Sequence, residues 1–180
     1  LTLVAAAIGS LLGLQGLSTP APAGRDARGF SATRAAEVAR NLLGDAPRPA
    51  GSDASRRAVE RLADHLRRRG LEVQVDQATV KWQGRDVDIR NIVARRSGTR
   101  PGPSVLVMAH HDSAPGSPGA GDDGMGVAIV LEAAESLFAD GAGTPWQGRD
   151  VILLLTDGEE SGLLGARHFA ANHQIGRAHV

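Results

Sequence analysis

The sequence predicts an α/β domain of three layers, with a central, mostly parallel sheet and helices on both faces. Two apolar runs, 104–109 and 151–155, are typical of strands that are covered on both faces. A pattern of helical period lies between them over 124–138. Strand, helix and strand in this order indicate a parallel crossover unit. A further helix is expected over 161–171, and the sheet is expected to be incomplete at its C-terminal side.

Two helices are predicted before the sheet. The first covers 30–43, with apolar residues at a spacing of three to four, Ser31 as N-cap and Gly44 as C-cap. The second covers 52–69 and buries its own apolar stripe. Both are expected to pack their apolar sides against the core.

After the second helix, apolar residues recur at every second position instead of every third or fourth. Alternating apolar and polar residues over 71–75 indicate a half-buried strand. Two more strands are predicted at 78–82 and 87–94. These segments are expected to join the central sheet.

Composition limits the chemistry that the chain can carry. Its 180 residues include 20 Lys and Arg and 20 Asp and Glu, so the formal net charge is zero. This balance gives no electrostatic support for a nucleic-acid partner. The chain has no cysteine, which excludes disulfides, thiol nucleophiles and cysteine-ligated zinc. Any metal must therefore be held by His, Asp or Glu.

The N-terminal segment 1–17 is apolar and carries no charge. It is compatible with a transmembrane helix, a signal-peptide core or a buried helix. The first two would place the following domain outside the cytoplasm, either membrane-anchored through this segment or secreted. Residues 18–29 are interpreted as a linker, and 30–173 as the folded domain.

The last residues, 174–180, follow a helical stretch without any terminating signal. The run 175–180 is the peptide that a common sequencing adapter encodes when it is read in frame. We expect this tail to be an artefact on a C-terminally truncated sequence, with a natural polar terminus as the alternative. His179 is therefore left out of the site.

Both buried strands run into clusters of ionisable residues. His110 and Asp112 follow the first strand, and Glu159 and Glu160 follow the second. A glycine-rich turn with Asp122 lies between them. Taken singly, the histidine could be a hydrogen-bonded residue at the end of a strand, and each acid could be a residue favoured at the start of a helix. Together they would meet at the carboxyl edge of the sheet, where a divalent metal would relieve their repulsion, and His with carboxylates is a zinc-type set.

These residues resemble the M28 family of zinc exopeptidases. The matching motifs are AHHDS at 109–113, PGAGDDGMG at 118–126 and GEESGLLGA at 158–166. The lead-in over 30–52 is similar to the membrane-anchored branch of that family. The related M20 family also uses a His-x-Asp motif and paired Glu, but the position of Asp122 after Gly-Ala-x suits M28 better.

The resemblance implies an aminopeptidase-type exopeptidase that hydrolyses a peptide substrate with a metal-activated water. His110, Asp122 and Glu160 would be metal ligands, and Asp122 would bridge two Zn²⁺ ions. Glu159 would be the general base, and Asp112 would orient the His110 ring. The family also implies a cis peptide bond after Asp122.

The family takes two further ligands, an Asp and a His, from downstream of the Glu-Glu motif. His173 comes too early to serve, so the chain carries three of the five expected ligands. We therefore expect it to bind zinc poorly and to be inactive by itself. Two alternatives stay open, acyl transfer as in glutaminyl cyclases and a non-catalytic ectodomain of the same fold. The retained Glu159–Glu160 pair favours hydrolysis, and the retained ligands argue against a non-catalytic role.

Overall fold

The computed structural model describes residues 29–139 and 144–173. The predicted N-terminal segment 1–17, the linker up to residue 28 and the tail 174–180 with His179 lie outside the described residues. No helix within the described ranges is both long enough and apolar enough to cross a membrane. The elements are α1 (Ala32–Leu43), α2 (Asp53–Arg68), β1 (Glu72–Trp82), β2 (Arg85–Arg96), β3 (Val105–His110), α3 (Met125–Leu137), β4 (Val151–Thr156) and α4 (Leu164–Asn172).

The predicted caps of α1 are confirmed. The Ser31 side chain accepts the N–H of Arg34, which satisfies one of the free donors of the first turn. At the other end, Gly44 has a φ of 76° and its N–H donates to the carbonyl of Arg40. The helix therefore begins and ends where its sequence signals lie.

The sheet has the strand order β1-β2-β4-β3. β1 is one continuous strand rather than two, because its ladder with β2 is unbroken from Glu72 to Trp82. β1–β2 and β2–β4 are antiparallel pairs, and β3–β4 is parallel.

The prediction of a mostly parallel sheet is wrong. β1 and β2 are joined by the two-residue turn Gln83-Gly84, in which both residues have positive φ values of 46° and 76°. Such a turn can connect only antiparallel neighbours. β2 then pairs with β4 in the opposite direction. The parallel arrangement is therefore limited to β3 and β4, with α3 as their crossover.

The prediction of an α/β fold with helices on both faces is confirmed. The main core lies between α1, α2 and α3 and one face of the sheet. α4 contacts β2 from the other face, where Asn91 alternates with the core residue Ile92 and bonds the carbonyl of Gly165. The most deeply buried core side chains include Leu62, Leu66, Ile92, Leu131 and Leu155.

The parallel pair determines where polar residues meet. His110 at the end of β3 is in register with Thr156 at the end of β4. The segments that follow these two strands therefore leave the sheet side by side at its carboxyl edge.

Candidate metal centre

His110 is the centre of a cluster of acids. Its Nε2 lies 3.0 Å from Oδ1 of Asp122 and 3.9 Å from Oε2 of Glu159. Its Nδ1 lies 3.3 Å from Oδ1 of Asp112. Three carboxylates from three separate segments thus surround one imidazole, and the His110 side chain is 10% exposed.

The charge of His110 follows from these neighbours. Burial lowers its pKa, but the hydrogen bonds and charges of Asp112, Asp122 and Asp123 outweigh burial and raise the pKa to about 9. Among the described residues, the ion pairs of Asp112, Asp122 and Glu159 run to His110 and none runs to an arginine or lysine. The imidazolium is therefore the ion-pair partner of these acids, and the charge of the buried Arg48 also acts on Asp112.

Asp112 joins the two strand ends. Its Oδ1 accepts the backbone N–H of Glu159 at 3.1 Å, and its Oδ2 accepts that of Glu160 at 3.2 Å. Burial raises the pKa of Asp112, but hydrogen bonding to His110 and to the Glu159 N–H outweighs burial and lowers the pKa overall. The carboxylate therefore stays ionised and holds the segment after β4 in place.

The turn before α3 gives its two acids different contacts. Asp122 directs its carboxylate to His110, while its side chain remains 80% exposed. Asp123 accepts the N–H of Gly126 at 2.9 Å and that of His110 at 3.2 Å. The peptide bond between Asp122 and Asp123 is cis, as the resemblance implied. Asp123 thus accepts an N–H of the first turn of α3, whose N-cap position is Gly124, and Asp122 is the acid that faces the imidazole.

Gly119 begins this turn in a conformation that other residues rarely adopt. Its φ is 60°, and an added Cβ would lie 2.6 Å from Cβ of Ser113. Glycine is required here because the turn passes directly over the segment that follows β3.

The structure brings together four of the five predicted site residues: His110, Asp112, Asp122 and Glu159. The fifth, Glu160, is anchored by its backbone, but its side chain is exposed and forms no ion pair with the residues described. Within 29–139 and 144–173, no three His, Asp or Glu side chains form a group ready to hold a metal ion.

The donor pair His110 and Asp122 nevertheless fits zinc. Tetrahedral zinc with bonds of about 2.0–2.1 Å separates two of its ligands by about 3.3 Å. The observed Nε2–Oδ1 separation of 3.0 Å is close to that value. Two of the three predicted ligands therefore already lie at a suitable distance.

A buried polar network behind the site was missed by the sequence analysis. Oδ2 of Asp157 accepts the N–H of Arg90 at 3.0 Å, and Oδ1 of Asn91 accepts the N–H of Asp157 at 3.1 Å. Asn91 also donates to the carbonyl of Gly165 at 3.0 Å. These bonds fasten the loop with Glu159 to β2. The available signal was the amide of Asn91 directly before the apolar run 92–94, since a buried amide must find partners.

The fold is similar to those of a solved glutaminyl cyclase and a solved zinc aminopeptidase. A glutaminyl cyclase from Porphyromonas gingivalis superimposes with a TM-score of 0.69 at 28% identity, over 81% of this chain and 55% of that one. BSAP, a zinc aminopeptidase from Bacillus subtilis, superimposes with a TM-score of 0.68 at 17% identity, over 82% of this chain and 66% of that one. The second likeness shows a shared fold alone.

Curated relatives are named vacuolar membrane protease. The protein from Debaryomyces hansenii is 41% identical over 80 residues, which cover 44% of this chain and 8% of that protein. The protein from Pyrenophora tritici-repentis is 47% identical over 68 residues, which cover 38% of this chain and 7% of that protein. The matched region is therefore a small part of each relative.

The family of the chain follows from a match over the segment that carries the cluster. The sequence model of peptidase family M28 matches residues 91–180, half of the chain. All the acids around His110 lie within that range. The chain belongs to peptidase family M28.

Proposed function

We propose that this protein is a zinc-dependent exopeptidase of the aminopeptidase type. The observation that carries the proposal is the contact of His110 with Asp122 and Glu159 at the carboxyl edge of the sheet. Membership of a peptidase family and relatives named as proteases support peptide-bond hydrolysis. A fold shared with a zinc aminopeptidase is consistent with it.

Zinc is the proposed metal, with two ions in a complete site. His110 and Asp122 would hold it, and Glu160 would complete the set from the segment after β4. When bound, zinc lowers the pKa of a coordinated water and polarises the scissile carbonyl. The predominance of carboxylates around a single imidazole supports this proposal, because such a set favours a multiply charged cation.

Glu159 is the proposed general base. Its carboxylate is 38% exposed, so water and substrate can reach it. It would take a proton from the attacking water as the new C–O bond forms, and give a proton to the leaving amine as the C–N bond breaks. Asp112 holds the Glu159 amide and the His110 ring, and so keeps base and ligand in a fixed relation.

Membrane association is proposed from the names of the relatives, which are membrane proteases. The apolar segment 1–17 would attach the protein to the membrane. We also propose that the catalytic domain lies outside the cytoplasm, either membrane-anchored or secreted. Its partner would be a peptide substrate.

Acyl transfer within the substrate is the second candidate function. The structure of glutaminyl cyclase at 28% identity over 81% of this chain favours it. In that reaction an amine of the substrate attacks instead of water, and the same carboxylate would take its proton. The reaction would still need His110, Asp122 and Glu159.

The test is Glu159→Gln in the full-length protein, with the exposed Glu60→Gln as the matched control. We expect peptide hydrolysis to fall about 10²–10⁴-fold with unchanged zinc content, since the base is lost and the ligands are kept. Glu60→Gln should behave as wild type. Full activity in Glu159→Gln would remove Glu159 from the mechanism.

The same assays separate the alternatives. Release of ammonia from peptides with N-terminal glutamine, without cleavage of other peptides, would favour acyl transfer. Zinc-loaded wild-type protein with neither activity would identify a non-catalytic ectodomain.

A further inference from the structure

Arg48 is a buried cation beside the candidate metal centre. It lies in the proline-containing loop between α1 and α2 and is 1% exposed. Its Nε donates to the carbonyl of His111 at 3.1 Å, and its Nη1 donates to the carbonyl of Pro118 at 2.8 Å. A charged side chain is rarely buried so completely without a specific purpose.

The backbone of Arg48 makes a second set of bonds to the same region. Its N–H donates to Oγ of Ser113 at 2.8 Å, and its carbonyl accepts the N–H of Ser113 at 3.1 Å. Oγ of Ser113 donates in turn to the carbonyl of Ser117 at 2.7 Å. The Arg48 loop and the segment after β3 are therefore joined reciprocally.

The guanidinium binds three carbonyls: that of Ala46 in its own loop, at 3.3 Å, and one in each of the two segments that carry the donor pair. His111 lies between His110 and Asp112 in the segment after β3. Pro118 directly precedes the turn that presents Asp122. Arg48 thus bonds the backbone of both segments. It does not occupy Nε2 of His110 or Oδ1 of Asp122, the atoms that would bind zinc.

Two other bonds join these segments at the centre: the His110 N–H donates to Oδ2 of Asp123 at 3.2 Å, and Nε2 of His110 lies 3.0 Å from Oδ1 of Asp122. These bonds hold the far end of the turn, and Arg48 holds its start through the carbonyl of Pro118. Without the guanidinium, the start of the turn would lose this attachment and depend on the neighbouring bond from Oγ of Ser113 to the carbonyl of Ser117. The position of Asp122 relative to His110 would then be less well defined.

We propose that Arg48 is a positioning residue that sets the separation of His110 and Asp122 and so determines the zinc affinity of the centre. The proposal rests on the proposed zinc-dependent function. The planar guanidinium suits this task because it donates in two fixed directions at once, whereas a lysine ammonium on a flexible stem does not.

Arg61 provides the matched control. Its Nε donates to the carbonyl of Leu42 at 2.7 Å and its Nη2 to that of Leu43 at 3.3 Å. It therefore also binds two backbone carbonyls, at the end of α1. Within the described part of the chain, no hydrogen bond or ion pair joins Arg61 to the segments that carry His110 and Asp122.

The experiment uses the full-length protein with Arg48→Lys, Arg48→Met and Arg61→Met. Zinc affinity is measured by chelator competition, the geometry by the visible spectrum of the Co²⁺-substituted protein, and stability by urea unfolding. We expect Arg48→Met to weaken zinc binding about 10–100-fold, the usual effect of removing a group that orients ligands. The Co²⁺ spectrum should change with it.

The remaining variants separate positioning from stability. Arg48→Lys should recover part of the affinity, because it can still bond one carbonyl. Arg61→Met should lower stability and leave zinc affinity and the Co²⁺ spectrum unchanged. If Arg48→Met does not fold, Arg48→Lys carries the test, with weaker zinc binding and an altered spectrum expected.

Wild-type zinc affinity and an unaltered Co²⁺ spectrum in the folded Arg48 variants would overturn this inference alone. An equal loss of zinc in Arg61→Met would overturn it too, since the effect would then be one of general stability. Wild-type protein that binds no zinc would overturn the proposed function together with the inference.

Discussion

The carboxylate of Asp112 accepts the backbone N–H of Glu159 at 3.1 Å, although the two residues are 47 positions apart. The same carboxylate lies 3.3 Å from Nδ1 of His110. One side chain thereby fixes the imidazole and the segment of the proposed base. Neither could shift without breaking a contact to Asp112.

Asp112→Asn should therefore impair the centre. An amide can accept from one backbone N–H, but its NH₂ group would face the other N–H without an acceptor. We expect zinc affinity to fall about 10–100-fold. Chelator competition measures this directly.

Asp150→Asn is the control for this substitution, because Asp150 also accepts a backbone N–H, that of Gly98 at 2.8 Å, away from the centre. It should keep wild-type zinc affinity. Equal zinc affinity in Asp112→Asn and wild type would contradict the role given to Asp112.

The adjacent acids Asp122 and Asp123 should respond oppositely to replacement by alanine. Asp123→Ala removes the acceptor of the Gly126 and His110 N–H groups and should destabilise the protein by about 1 kcal/mol. It leaves the Asp122 carboxylate in place and so should weaken zinc binding less than Asp122→Ala does. Asp122→Ala removes a largely exposed side chain and should lose zinc with little change in stability. Urea unfolding of the zinc-free variants and zinc content after reconstitution are the measurements. If Asp122→Ala lost stability and kept zinc while Asp123→Ala lost zinc and kept stability, the roles given to the two acids would be exchanged.

The buried Asp157 should make stability depend on pH in an unusual direction. Burial raises its pKa, with a further contribution from the charge of Asp112. An acid whose folded-state pKa lies above its unfolded value of about 3.9 favours folding most below that value, and the contribution is lost as pH rises through the folded pKa. The stability advantage of wild type over Asp157→Asn should therefore shrink as pH rises.

Asp150 is the matched comparison for this effect. The N–H of Gly98 and the side chain of Arg95 lower its pKa. Its contribution is present above the unfolded pKa and is lost as pH falls through the folded pKa, so the advantage of wild type over Asp150→Asn should grow as pH rises. Urea unfolding over a series of pH values measures both trends. Parallel trends in the two variants would be inconsistent with the burial of Asp157.

The sequence predicted those parts of the fold that depend on local patterns. The caps at Ser31 and Gly44, and the meeting of His110 with the segment of Glu159, follow from helix signals and from a parallel strand pair. The insertion of β2 beside β4 did not follow, because no local pattern specifies which strands pair over long distances. The contacts of Arg48 and Asn91 were missed for the same reason, since their partners are backbone groups that only the folded chain brings near.

The strand order has a consequence for the timing of folding. β4 emerges last of the four strands, yet it lies between β2 and β3. The β1–β2 hairpin can form early from neighbouring residues, whereas β3 has no partner among the described strands until β4 is made. His110 is therefore synthesised before Glu159, and the proposed metal site cannot be complete until β4 has entered the sheet between β2 and β3.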